Sequence, residues 1–261
     1  MIPEIPEFLI EKEIIKQYSS YFSPYHIILG FDYDTLLPRI LNLVGLNLMI
    51  SGTPKSGKGN FVKYLLSSVL SNCDIAPIQI VIFDKATVKK FSQIASTKSD
   101  IIRYEISSAS MSEICKEWNV ELESRKQLVI ENNGDMSILN DKPLLMMICE
   151  DSSKEMLSNF DETLFNYSAY KFSCIISNVN EEVNPMKTPK LSKIQSAGAD
   201  FLLFGSFIAS NTVNSFIKIQ MPEKKKLASL ETSIGDAYYI ESSDQTKVYR
   251  LRTPMHSSEY V

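Results

Sequence analysis

Residues 46–61 read LNLMISGTPKSGKGNF, and this stretch decides the fold. An apolar run ends in a glycine-rich turn that leads directly into a helical pattern, which is the order found in a phosphate-binding loop. In such a loop, successive backbone N–H groups and the N-terminus of the following helix surround phosphate oxygens. The residues predicted to bind a nucleotide are Gly52, Thr53, Pro54, Lys55, Ser56, Gly57, Lys58, Gly59 and Asn60.

The loop matches the pattern G-x-x-x-x-G-K from Gly52 to Lys58, but the next position departs from the usual residue type. Lys58 is expected to reach the β and γ phosphates, and a Ser or Thr after it would place a hydroxyl on magnesium. This chain has Gly59 there, so we expect weak ATP binding and assign no residue to a metal. An ordinary turn between a strand and a helix is the alternative, although three of the nine glycines lie in this stretch.

The composition is that of an ordinary globular chain, with 261 residues, 44% hydrophobic and 22% charged. One large domain, or at most two, is expected. No long apolar run or secretory signal is present, so this polypeptide is expected neither to span a membrane nor to be secreted. The net charge of −4 argues against a nucleic-acid surface. Four widely spaced cysteines are predicted to be reduced core residues of a cytosolic protein: Cys73, Cys115, Cys149 and Cys174.

Apolar runs alternate with helical patterns along the rest of the chain, as a parallel α/β sheet requires. We predict one domain over 1–261, in which 1–45 is a lead-in with a surface helix at 7–18. The core spans 46–251, with a helix at 210–219 and a closing β-hairpin within 237–251. Residues 252–261 are predicted to be a frayed tail.

A second chemical site is predicted at 144–151, LLMMICED, where a buried strand ends in acidic residues. In a P-loop ATPase, such a strand ends in an Asp of the magnesium shell, and the following Glu orients the attacking water. Here Cys149 takes the place of the Asp, and Glu150 is the predicted water-orienting residue. A register in which Glu150 and Asp151 form the pair would turn every strand side chain to the other face. Two acids that simply begin a helix are the structural alternative.

These motifs resemble those of the FtsK/SpoIIIE-type motor ATPases, most closely the last (third) ATPase domain of the EssC/EccC coupling proteins of type VII secretion. The resemblance implies a RecA-like P-loop fold with a mainly parallel sheet flanked by helices, within a longer membrane-anchored chain. It also places Asn178 where that family has a polar sensor of the γ-phosphate. The resemblance extends over nearly the whole chain. It rests on five stretches of sequence: 30–36 (GFDYDTL), the strand and phosphate loop that begin at 47, 83–85 (FDK), 143–151 and 235–239 (GDAYY).

The departures at Gly59 and Cys149 favour a degenerate ATPase-fold domain with little or no hydrolysis, acting in substrate docking or motor regulation. The alternative is an active ATP-driven translocase that moves polypeptide or DNA. The resemblance implies neighbouring ATPase domains, secreted protein substrates and further copies of the chain as partners, at the cytosolic face of the cell membrane. Nucleic acid is not expected as a partner, because short lysine runs such as 224–226 are usually solvated.

Overall fold

The computed structural model describes residues 5, 9–71, 73, 76–208 and 210–256. Its strands are β1 (His26–Asp32), β2 (Pro38–Asn42), β3 (Asn47–Gly52), β4 (Ile78–Phe83), β5 (Ile102–Glu105), β6 (Leu144–Cys149), β7 (Phe172–Val179), β8 (Asp200–Phe204), β9 (Asp236–Ile240) and β10 (Tyr249–Arg252). Its α-helices are α1 (Glu11–Gln17), α2 (Lys58–Leu70), α3 (Ser92–Thr97), α4 (Ser108–Glu131), α5 (Lys154–Ser158), α6 (Pro189–Ser196), α7 (Asn211–Asn214) and α8 (Met221–Ala228). Short 3₁₀ helices span Ser19–Tyr21, Met136–Leu139 and Glu162–Tyr170. The α/β class predicted from the sequence is confirmed.

The elements group into two compact units. The first is drawn from Met1–Leu43, Ile50–Ile75 and Asp200–Val261, and the second from Val44–Met49 and Ala76–Ala199. Strand β3 contributes to both, with 47–49 in the second unit and 50–52 in the first. That 1–261 acts as one domain stays a prediction.

In the first unit the strands are ordered β2-β1-β10-β9-β8-β3. The pairs β1–β2, β1–β10, β9–β10 and β8–β9 are antiparallel. The predicted closing hairpin is confirmed as β9 and β10, in which Asp236 lies opposite Arg252. Because β1 and β2 come from the predicted lead-in, that segment belongs to the same sheet.

In the second unit the order is β3-β7-β6-β4-β5. The pairs β4–β5, β4–β6 and β6–β7 are parallel, and the Cys174 N–H donates to the Leu46 carbonyl at 2.8 Å, which joins β7 to the start of β3. Every residue of β6 is buried, as expected of a parallel strand covered on both faces. The carboxyl ends of parallel strands share one edge, so residues that follow β4, β6 and β7 can meet there.

The predicted helix over 210–219 is wrong beyond its first turn. Helix α7 ends at Asn214, after which Ile217 and Ile219 are buried while Lys218 is exposed. This alternation has the period of an extended chain. Phe216 also stacks on Phe201 with ring centroids 4.2 Å apart, so tertiary packing overrides the local helical pattern.

The prediction of a frayed tail over 252–261 is wrong for 252–256, which are ordered against the rest of the unit. Residues 257–261 lie outside the described residues. Arg252 belongs to β10, and Thr253 and Met255 are buried. The Met255 N–H donates to the Leu9 carbonyl at 2.8 Å. The tail therefore anchors the N-terminal segment.

The predicted helix at 7–18 is shorter, because α1 begins at Glu11, and 7–8 lie outside the described residues. It also lies less on the surface than expected, since Ile14 packs with Leu9, Ile28 and Phe31.

The four cysteines are free thiols, and Cys115, Cys149 and Cys174 are buried as predicted, whereas Cys73 is half-buried. Among the described residues, no helix combines the length and apolar character needed to cross a membrane.

Candidate functional site

The predicted phosphate loop connects β3 to α2, and its backbone turns sharply. The φ angle is positive at Gly52 (141°), Lys55 (63°) and Gly57 (107°). Gly57 immediately precedes α2, a helix of 13 residues, and as the N-cap residue it has no side chain that could bond the first N–H groups of the helix. The first turn of α2 therefore directs N–H groups and the positive end of the helix dipole toward the loop. This arrangement can hold a phosphate.

Lys58 begins α2 and folds back over the loop. Its Nζ donates to the Gly52 carbonyl at 2.6 Å and to the Thr53 carbonyl at 2.9 Å. A charged donor makes these bonds stronger than neutral ones. The ammonium group is therefore held at the loop, where it can meet a bound anion.

The loop is packed backbone against backbone on neighbouring segments of the same unit. A Cβ atom on Gly52 would lie 2.4 Å from the Phe204 carbonyl oxygen, and one on Gly57 would lie 3.1 Å from the Gly235 nitrogen. The Gly235 N–H donates to the Ser56 carbonyl at 3.1 Å. Glycine is thus required where the loop meets these segments.

Two predicted nucleotide-binding residues differ from the others. Asn60 is buried, and its Oδ1 accepts a hydrogen bond from the His256 N–H at 2.5 Å, so the side chain supports the C-terminal segment. Gly59, in the first turn of α2, has no side-chain oxygen to give a metal. Among the described residues, no three His, Cys, Asp or Glu side chains are grouped to hold a metal ion. The N–H groups and the Lys58 ammonium group of this loop fit phosphate, and position 59 offers no hydroxyl for magnesium.

In the second unit, Glu150 follows β6 and its carboxylate is buried. Lys90 donates to Oε1 at 2.9 Å, and the Ser177 hydroxyl donates to Oε2. Only 8% of the Glu150 side chain is exposed. Both carboxylate oxygens are therefore bound internally, which competes with the predicted orientation of a water.

Asn178 contacts the same glutamate, and the two predicted catalytic residues are neighbours. Its Nδ2 donates to the Glu150 carbonyl at 3.0 Å and to the Ser177 hydroxyl at 3.1 Å. Both Ser177 and Asn178 lie within β7, which continues to the fully buried Val179. The sensor role of Asn178 stays a prediction.

Of the two registers left open for β6, the structure favours the one with Cys149 at the strand end. Asp151 accepts a hydrogen bond from the Ser153 N–H at 3.0 Å, just before α5, which is a local role in the turn. Cys149 is fully buried, and burial together with the neighbouring Cys149 thiol raises the pKa of the Cys174 thiol. Burial also raises the pKa of the nearby Cys115 thiol to about 12. A carboxylate at position 149 would therefore face thiols in the core.

Some contacts that shape both sites were not identified from the sequence. Nothing in the sequence pairs Lys90 with Glu150. Ser177 carried a signal only through its position next to Asn178. Gly235 lies in the stretch GDAYY. Its contact with the phosphate loop could be found only from the structure.

No protein-family model matches the chain, and no curated protein matches its sequence. Solved structures do match. EssC (ATPases 2 and 3) from Geobacillus thermodenitrificans is 18% identical, with a TM-score of 0.74, over 98% of this chain and 46% of that one. Thermomonospora curvata EccC (ATPases 2 and 3) in complex with a signal sequence peptide is 14% identical, with a TM-score of 0.66, over 98% and 45%. The pCW3 conjugation coupling protein TcpA, monomer form with ATPγS, is 13% identical, with a TM-score of 0.70, over 98% and 72%.

The chain therefore has the RecA-like α/β fold of ATPase domains. In particular, it has the fold of the EssC and EccC ATPase domains, and the resemblance predicted from the motifs is confirmed at the level of the fold. The chain spans about half the length of the EssC and EccC structures that it matches.

The packing at Gly52 predicts a large cost for a side chain there. We expect Gly52→Ala to lower the free energy of unfolding by about 3 kcal/mol or more, because a Cβ would overlap the Phe204 carbonyl. Gly134→Ala is the matched control, since Gly134 also has a positive φ (83°) but has no atom within 4 Å of its added Cβ. That control should cost only about 1 kcal/mol. Equal losses in urea unfolding would contradict the packing described.

Proposed function

We propose that this chain is a nucleotide-binding ATPase-fold domain of a type VII secretion coupling protein. It holds ATP weakly, hydrolyses it little or not at all, and acts in substrate docking or motor regulation. The observation that carries this proposal is a glycine-rich loop that leads through Gly57 directly into α2 and holds the Lys58 ammonium group, with Gly59 in the position of the metal-binding hydroxyl.

Phosphate binding is supported by groups already in place. The turn at Gly57 and the start of α2 supply backbone N–H groups, and Lys58 supplies a positive charge at the loop. A bound triphosphate would compete with the Gly52 and Thr53 carbonyls for the Lys58 ammonium group. Each such charged hydrogen bond is worth about 1.5–3 kcal/mol, so this competition favours weak affinity.

Slow or absent hydrolysis is supported by two independent features. Gly59 cannot contribute an oxygen to magnesium, which in phosphoryl transfer bridges the β and γ oxygens. The Glu150 carboxylate is bound by Lys90 and Ser177, so activating a water would require at least one of these bonds to break. Both features lower the rate without preventing nucleotide binding.

A role within a larger secretion machine is supported by the EssC and EccC structures, whose chains are about twice as long as this one. One of those EccC structures is in complex with a signal sequence peptide. We propose neighbouring ATPase domains and secreted protein substrates as partners, a homo-oligomeric assembly, and a location at the cytosolic face of the membrane. Nucleic acid is not proposed, because Lys90 is paired with Glu150 and Lys224 with Asn214.

A second candidate function is that of an active ATP-driven translocase, and the arrangement of three polar residues favours it. Glu150, Ser177 and Asn178 meet at the edge where β6 and β7 end, which is where an α/β fold places its chemistry. Measuring ATP hydrolysis separates the two candidates.

The first functional prediction concerns Lys58. Calorimetric titration should give a dissociation constant for ATP on the order of 0.1 mM, and Lys58→Ala should raise it at least about tenfold, because one positive charge at the loop is lost. Lys226→Ala removes the same charge from an exposed position on α8 and should leave the affinity unchanged. Equal affinity in Lys58→Ala and the unaltered protein would place the nucleotide elsewhere.

The second functional prediction concerns turnover. The protein should hydrolyse ATP at less than about 0.01 per second, well below typical enzyme rates. The measurement is steady-state phosphate release with magnesium present, and Glu150→Gln should leave that low rate unchanged. A rate near about 1 per second that Glu150→Gln abolishes would instead support the translocase.

A further inference from the structure

Asp236, at the start of β9, is the centre of a buried ionic cluster in the same unit as the phosphate loop. Its side chain is only 2% exposed. Oδ1 accepts a hydrogen bond from the Tyr33 hydroxyl at 2.6 Å and forms an ion pair with the Arg252 Nε at 3.0 Å, and Oδ2 accepts a hydrogen bond from Arg250 at 3.3 Å. The stretches GFDYDTL and GDAYY meet here through Tyr33 and Asp236.

The same carboxylate closes the turn that precedes it. The Ser233 N–H donates to the Asp236 Oδ2 at 3.0 Å, and the Asp236 N–H donates to the Ser233 carbonyl at 3.0 Å. Arg252 also donates to the Ile234 carbonyl at 3.0 Å. The turn over 233–236 is therefore held by side-chain charges as well as by its backbone.

This turn is bonded directly to the phosphate loop. The Gly235 N–H donates to the Ser56 carbonyl at 3.1 Å, and the Gly235 carbonyl accepts bonds from the N–H and the hydroxyl of Thr253, each at 2.9 Å. The approach is too close for a side chain on Gly57 to fit easily. A shift of the turn must therefore shift the loop.

The properties of the Asp236 cluster suit it to hold the turn over 233–236 in one position. Burial and the bond to Asp236 raise the pKa of Tyr33, so its hydroxyl stays protonated and donates at neutral pH. The Arg250 guanidinium lies 4.2 Å from the centre of the Tyr33 ring, which adds a cation–π contact. If one partner of the buried Asp236 carboxylate is removed, the charges that remain are poorly compensated. A single substitution in the cluster is therefore expected to disturb the position of the other side chains.

We propose that Asp236 is a positioning residue for phosphate binding. With Tyr33 and Arg252 it fixes the turn over 233–236, and the Gly235 N–H then sets the position of the Ser56 carbonyl and of the loop N–H groups. The link to nucleotide affinity rests on the proposed function, whereas the effect on loop conformation does not.

The test compares two tyrosine-to-phenylalanine changes. Tyr33→Phe removes the hydroxyl bonded to Asp236. Tyr239→Phe is the matched control, because the Tyr239 hydroxyl donates to Asp200 at 2.5 Å in the same unit but supports a different carboxylate. Asp236→Asn is the stronger variant, and Tyr33→Phe decides the result if Asp236→Asn does not fold.

Two readouts separate positioning from general stability. Without nucleotide, hydrogen exchange at Gly235 and in 53–57 should be at least about fivefold faster in Tyr33→Phe and Asp236→Asn, and unchanged in Tyr239→Phe. With ATP, calorimetry should show affinity about fivefold weaker in Tyr33→Phe and unchanged in Tyr239→Phe.

Unchanged exchange in Tyr33→Phe overturns the inference, whether or not ATP binds. Faster exchange with unaltered ATP affinity overturns the role in phosphate binding. Equal effects in Tyr33→Phe and Tyr239→Phe also overturn it, because they would reflect stability alone. Faster exchange in a protein that binds no ATP supports the effect on the loop and refutes the proposed function.

Discussion

The close approach of three backbone segments determines the shape of the phosphate loop. The loop lies against the end of β8 at Phe204 and against the turn before β9 at Gly235, with no space for Cβ atoms between them. Backbone packing of this kind limits the directions that the loop N–H groups can take. The capacity to hold an anion is therefore built into the sheet of the first unit.

The carboxylates at the strand ends are engaged in internal contacts. Asp84, after β4, accepts bonds from the Phe91 N–H at 2.9 Å and the Tyr104 hydroxyl at 3.0 Å, and burial together with this contact raises the pKa of Tyr104 to about 12. Glu150 is bound by Lys90 and Ser177. Buried carboxylates with such partners stabilise local structure.

The sequence predicted the central elements well, because their signals are local. The buried strand predicted within 144–151 is β6 (Leu144–Cys149), and the glycine spacing around Gly57 predicted the turn between β3 and α2. The predictions were wrong where contacts between residues far apart in the sequence determine the local structure. Phe216 stacks on Phe201 and ends a helix that periodicity extends, and Met255 bonds to Leu9 in a tail that composition predicts to be frayed.

The candidate sites also combine features that the local sequence predicts with features that depend on distant residues. The residue types of the loop and of the β6 end follow from spacing, but the partners that control them come from remote positions. Lys90 lies 60 residues from Glu150, and Tyr33 lies 203 residues from Asp236. No local pattern encodes such pairs, so a sequence can indicate a phosphate site and still leave its activity undecided.

We propose that the loop binds phosphate without the help of a metal ion. The affinity for ATP can be measured by calorimetry in excess magnesium and again in excess EDTA. We expect the two dissociation constants to agree within about threefold, because Gly59 provides no metal ligand. Binding that is about a hundredfold tighter with magnesium would contradict it, since a metal site would then contribute most of the difference.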